Sequence, residues 1–208
     1  MSPTNTEALI CRTFLEMIRE HPCQSIKVTE LTKRAGISRS LFYIYFDSTW
    51  SVIEKIEDVF FEGFPSEERA LTETISAMNN SKFTKGQGFE DSYEFLFEHM
   101  DIYRALSGPN GTASFMVRFR NRHSRIYSQI LAKNFPDLPE GERNLLSTFM
   151  AGGKVACFDW WAHHPNALTL ETYTEFTSEL YFQVWKRIMS WMRTEQRKTD
   201  FCIPKPES

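Results

Sequence analysis

Leu145, Phe149, Gly152, Ala156 and Trp160 follow one another at three- and four-residue steps, and Tyr173, Phe176, Leu180, Val184, Ile188 and Trp191 do the same. Residues so spaced lie on one side of an α-helix, so each segment reads as a long helix whose apolar stripe another surface must cover. A third stripe, Leu9, Phe14 (or Thr13), Met17 and Ile18, opens the chain. Alternation of the strand kind is poor throughout. Pro22, Pro65, Pro109, Pro136, Pro139 and Pro165 fall between the helical segments, where helices usually stop. The spacing predicts an all-α chain of about nine helices near 5–21, 28–35, 39–46, 48–62, 66–79, 89–107, 112–134, 140–163 and 170–194, with ends good to about two to four residues.

A hydrophobic share of 41% in 208 residues is enough for a substantial core in one or two domains. There is no solenoid-like repeat, and only the end, "CIPKPES", reads as a flexible tail. No run of about 18 apolar residues occurs, and "MSPTNTEALICRTF" lacks a basic region followed by an apolar one, so a cytoplasmic chain is expected. Cys11, Cys23, Cys157 and Cys202 are scattered with no ligand-like spacing, which fits reduced structural thiols.

The net charge of −3 argues against coating nucleic acid by overall charge, but its distribution is uneven. Residues 1–50 carry six Lys or Arg against five Asp or Glu, and residues 51–208 carry eighteen against twenty-two. Within "KVTELTKRAGISR", Lys27, Lys33, Arg34 and Arg39 stand against Glu30 alone, a basic patch confined to one place. Around it, "VTELTKRAGISRSLFYIYF" reads position by position. Thr29 is placed to cap a helix with Leu31 and Ala35 inward, Gly36 supplies the left-handed residue of a sharp turn, and Ser38 caps the next helix. Such a helix, Gly-containing turn and second helix make a helix-turn-helix unit. Phe42 and Phe46, four apart, are expected inward. Tyr43 and Tyr45 are expected to point elsewhere, with hydroxyls free for phosphate.

Residues 26–50 resemble the DNA-binding signature of the TetR family of bacterial transcription regulators, through Thr29-Glu30-Leu31, Ala35-Gly36-Ile37-Ser38 and Tyr43-Ile44-Tyr45-Phe46. The resemblance covers about a quarter of the chain. Two positions depart from it: Tyr45 replaces a common His, and Thr49 stands where a phosphate-binding Lys is usual. It implies a helix-turn-helix domain over 1–48, a larger helical effector-binding and dimerisation domain over 49–196, and a tail over 197–208. It also implies phosphate contacts from Thr29 and Tyr43, base or phosphate contacts from Arg39 and Ser40, and peripheral phosphate contacts from Lys27 and Tyr45. "FMAGGKVACFDWWAHHPNALTLETYTEF" is similar to the C-terminal regions of a TetR branch common in Gram-positive bacteria.

The expected partners are a palindromic double-stranded DNA operator and a second copy of the chain, the two long stripes pairing with those of the twin. The alternative is that both stripes are consumed in the monomer core. Met100, Tyr103, Phe115, Met116, Phe119 and Tyr127 are candidates to line an effector pocket, since rings with a few polar tips suit one, although such stripes also build ordinary cores. Arg118, Arg122 and Arg125 share a helix face that reads as solvated and paired to acidic neighbours, with an acidic ligand as the alternative. Asp159, His163 and His164 make a poor metal set because adjacent helical histidines diverge by about 100°. No cofactor is expected, and no enzyme: GxSxG, P-loop, HExxH and GxGxxG are absent from the sequence. A helical module that docks a protein partner is the other class the sequence leaves open.

Overall fold

The computed structural model describes residues 3–65, 72 and 90–193. Among them are nine α-helices and no strand: α1 (Pro3–Ile18), α2 (Val28–Ala35), α3 (Arg39–Tyr45), α4 (Thr49–Gly63), α5 (Glu90–Glu98), α6 (Met100–Ser107), α7 (Ala113–Asn134), α8 (Glu140–His163) and α9 (Leu170–Arg193). The all-α reading holds. Apart from residue 72, the expected helix at 66–79 lies outside the described residues, as does the tail.

The sequence expectations differ from the observed ends in instructive ways. α1 stops at Ile18 rather than about residue 21, because the amides of Glu20 and His21 both turn back to the Met17 carbonyl at 3.0 and 2.9 Å. Its buried stripe contains Ile10, which the spacing reading missed, whereas Leu9 is only half-buried. The single helix expected at 89–107 is two, broken at His99. The His99 ring stacks on Phe95 at 4.1 Å and its Nδ1 meets the Phe95 carbonyl at 2.8 Å, which draws the break back onto the preceding turn.

Helices α1 to α3 pack around Phe14, Ile18, Leu31, Phe42 and Phe46, all buried. Burying a Phe side chain stabilises by roughly 1.5–3 kcal/mol, so Phe42 and the C-cap residue Phe46 are the main anchors of the seven-residue α3. The same cluster continues through Val52, Ile53, Ile56 and Phe60 of α4 into Tyr103, Phe115, Phe119 and Phe158 of the larger unit. α4 therefore carries one unbroken core from the small unit to the large one. A second core, Tyr127, Ile130, Leu131, Leu138, Met150, Ala151 and Trp185, lies toward the far end of α7, α8 and α9. Gly153 lets Tyr181 come close, and the Tyr181 hydroxyl donates to the Met150 carbonyl at 3.1 Å.

Gly36 has φ 67°, and a methyl group added there would meet nothing within 4 Å. Replacing it isolates backbone strain from packing. Gly36→Ala is expected to cost about 1–2 kcal/mol, read as a lower urea midpoint with an unchanged slope; an unchanged midpoint would contradict a left-handed turn.

Candidate nucleic-acid interface

The helix-turn-helix unit is built by local chemistry. α2 spans Val28–Ala35, where the sequence reading placed it, but Lys27 is its N-cap, so Thr29 is not the cap and lies inside the first turn. The Glu30 carboxylate accepts from the Lys27 amide at 3.5 Å and takes the capping role expected of Thr29. At the other end the Ile37 amide returns to the Thr32 carbonyl at 3.0 Å across Gly36, closing the helix and reversing the chain. Ser38 then caps α3, its Oγ accepting from the Leu41 amide at 3.1 Å.

Phe42 and Phe46 both point inward, with ring centroids 5.9 Å apart. The outward side of α3 is therefore the side that begins with Arg39 and Ser40, both exposed. Tyr43 is 49% exposed, its ring edge against Phe42 at 5.4 Å. Tyr45 departs from expectation: it is half-buried and packs against the core, so its ring is partly used structurally. Lys27 and Thr29 are exposed at the start of α2.

The basic patch is smaller than the sequence suggested. Glu20, beyond the end of α1, accepts both terminal nitrogens of Arg34 at 2.7 Å. This pairing holds the Glu20 carboxyl below its ordinary range and leaves Lys27, Lys33 and Arg39 as the cations of the exposed face.

In the larger unit, Tyr103, Phe115 and Phe119 form a packed ring cluster with centroids 5.6–6.0 Å apart. Met116 sulfur lies 3.6 Å from the Tyr103 hydroxyl, and Met100 packs at the edge of the same core. Tyr127 is not with them; it belongs to the second core, beside Trp185 at 6.2 Å. The Tyr103 hydroxyl donates to Asp159 at 3.1 Å, and burial, reinforced by that carboxylate, holds the phenol well above its usual range. Asp159 also lies 3.5 Å from His163 Nδ1, while His164 turns away to stack on Trp160 at 4.6 Å. A separate groove of about 840 Å³ lies where α1 meets α4, α5 and α6, lined by Cys11, Leu15, Ile56, Phe60, Phe95 and His99. None of the six candidate pocket residues lines it.

No family model matches the sequence. A solved structure of a TetR transcriptional regulator from Streptococcus agalactiae 2603V superposes with a TM-score of 0.51 at 20% identity, covering 88% of this chain and 94% of that one. This chain shares the fold of that TetR regulator. The HTH-type transcriptional regulator YxbF of Bacillus subtilis (strain 168) is 20% identical over 206 residues, which is 95% of this chain and 52% of that protein. The chain thus spans about half the length of the curated relative it matches.

Two features of this structure escaped the sequence reading. Ile44, four residues after Ser40, is 72% exposed, a large apolar side chain on the face that Arg39 and Ser40 open. Its signal was present: it lies off the Phe42–Phe46 stripe, which leaves it no core to enter. The other is Glu57, buried on the inward face of α4, where a carboxylate interrupts an apolar stripe.

Proposed function

We propose that the chain is a sequence-specific DNA-binding transcriptional regulator that acts as a homodimer and reads a palindromic operator with α3. The observation that carries the proposal is α3 itself, whose buried side is spent on Phe42 and Phe46 and whose exposed side offers Arg39, Ser40, Tyr43 and Ile44 together. A guanidinium suits the acceptor edge of guanine, a hydroxyl suits base or phosphate, and an apolar side chain suits the thymine methyl. Lys27, Thr29 and Tyr43 supply the phosphate contacts that set register, with Tyr45 at the rim.

Dimerisation is supported by the long helices. On α8, Leu145 is 71% exposed and Phe149 65%, followed along the same stripe by Gly152, Ala156 and an exposed Trp160. On α9, Phe176 is 65% exposed and Leu180 lies exposed one turn on. An apolar face of this extent marks an interaction surface. A twin covering it in the isologous manner of two-fold dimers sets two reading helices on one duplex. Half-sites then lie about one helical turn apart.

The helical domain over 49–196 binds an effector; Tyr103, Phe115 and Phe119 are packed on one another with Met100 and Met116 at their edge, so an effector held among them must part the rings, and Tyr127 lies apart in the second core. The effector shifts operator affinity by no more than its own preference between the two arrangements of the readers. Enrichment of duplexes from a randomised pool by the purified protein tests the proposal. The expected winner is a palindrome with two half-sites; a pool that stays random with and without cell-extract small molecules refutes it.

A further inference from the structure

α4 is fastened to the larger unit by a buried carboxylate. Glu57 accepts hydrogen bonds from Thr112 Oγ1 at 2.5 Å, Ser114 Oγ at 3.1 Å and Arg118 Nη1 at 2.9 Å. The other terminal nitrogen of Arg118 reaches Asp58 at 2.6 Å, and its guanidinium lies 4.8 Å above the Phe61 ring. One turn along α7, Arg122 donates to the carbonyls of Phe61 and Phe64 at the end of α4, at 3.3 and 2.9 Å.

The loop that carries Thr112 also grips the helix-turn-helix unit. The carbonyl of Asn110 accepts from the Cys23 amide at 2.8 Å, and that of Gly111 from the Cys23 thiol at 3.2 Å. Cys23 lies in the short 3-10 turn (Cys23–Ser25) between α1 and α2. Gly111 admits no side chain, since an added Cβ would fall 2.0 Å from the Leu106 carbonyl oxygen. Three successive residues of one tightly folded loop thus hold the reading unit on one side and the α4 carboxylate on the other.

We infer that Glu57 is a positioning residue for operator reading: through Thr112 and Arg118 it locks α4 to the loop that holds Cys23, and so fixes the attitude of the reading unit on the larger unit. The inference rests on the reading proposed above. An apolar contact would allow α4 to slide, whereas a buried carboxylate tolerates only arrangements in which its donors remain aimed at it, because an unmatched buried charge is costly. The device is directional, and the Glu57 side chain at its centre is itself buried.

The test begins without DNA. Nitroxide labels on non-natural residues at the exposed positions Lys33 and Gln129, diluted with unlabelled protein, report the distance between the two units within one chain. The native protein is expected to give one narrow distribution, and Glu57→Gln a broadened or second one; Arg118→Gln serves as a second variant should Glu57→Gln fail to fold. Identical distributions in the native protein and a folded variant overturn the inference. On the selected duplex, the same variants should lose about tenfold of the preference for the native half-site spacing over a spacing one base pair longer, in the ordinary range of coupling between distant sites. Affinity for a single half-site should stay within about twofold, whereas general destabilisation weakens both duplexes alike and contradicts a positioning role. Because the distance measurement involves neither operator nor twin, failure of the operator reading and failure of the Glu57 inference remain distinguishable.

Discussion

Arg39→Ala is expected to abolish selective operator binding while leaving the fold intact. Arg39 is the first residue of α3, exposed, and no ion pair among the described residues claims it. Its guanidinium is therefore available to the duplex, unlike that of Arg34, which is held in a two-point pair with Glu20. A well-placed guanidinium on a guanine contributes about 1–3 kcal/mol of discrimination, and a two-fold dimer loses the contact twice, so roughly 2–6 kcal/mol should disappear. What remains is the sequence-independent attraction of Lys27 and Lys33 to phosphate, which salt erodes. Titration of operator and scrambled duplexes by the variant reads this directly. Equal preference in Arg39→Ala and native protein would remove Arg39 from the interface, and a larger loss from Arg34→Ala than from Arg39→Ala would place the reading face on the wrong side of the unit.

The second large effect belongs to the long helices. Phe149→Glu is expected to convert the proposed homodimer to a monomer without lowering the stability of the single chain, because Phe149 is mostly exposed in the protomer and a carboxylate there meets water. In a dimer the same carboxylate would be buried against an apolar twin, a cost of at least about 2 kcal/mol at each of two symmetric positions. Sedimentation of the variant at micromolar concentration should give the mass of one chain. Operator affinity should then fall by about 10²–10⁴, since the second half-site is no longer bound within one molecule. A variant that stays dimeric would place the twin elsewhere on the surface.

How far the sequence reached is clear from where signals were local. The turn at Gly36, the cap at Ser38 and the inward pair Phe42 and Phe46 depend on residues within four positions of one another, and all three stand as read. The stripes of α8 and α9 were legible as helix faces but not as inward or outward ones: Leu145, Phe149, Phe176 and Leu180 are exposed, whereas Tyr173 is buried and Val184 and Ile188 pack against the second core. Readings failed where a distant group intervened. Glu20 neutralises Arg34 from fourteen residues away, so the count of charge within one short stretch overstated the patch. The break at His99 arises from a side chain folding back on its own turn, which leaves apolar periodicity intact and so gives no warning. Tyr127 was grouped with Tyr103 by composition, yet two turns of α7 beyond Phe119 carry it into a different core. Glu57 lay in plain view as a charge in an apolar stripe, and its meaning required Thr112 and Arg118 to be brought beside it.

Titration of the selected duplex and its scrambled counterpart with native protein, across a salt series and with the bound stoichiometry measured, tests most directly whether α3 reads sequence in a dimer. A dimeric reader requires two chains per duplex and a preference of about 4–10 kcal/mol for the selected sequence that survives at physiological salt. Equal affinities for the two duplexes that fall together as salt rises would show only phosphate attraction and would contradict sequence reading.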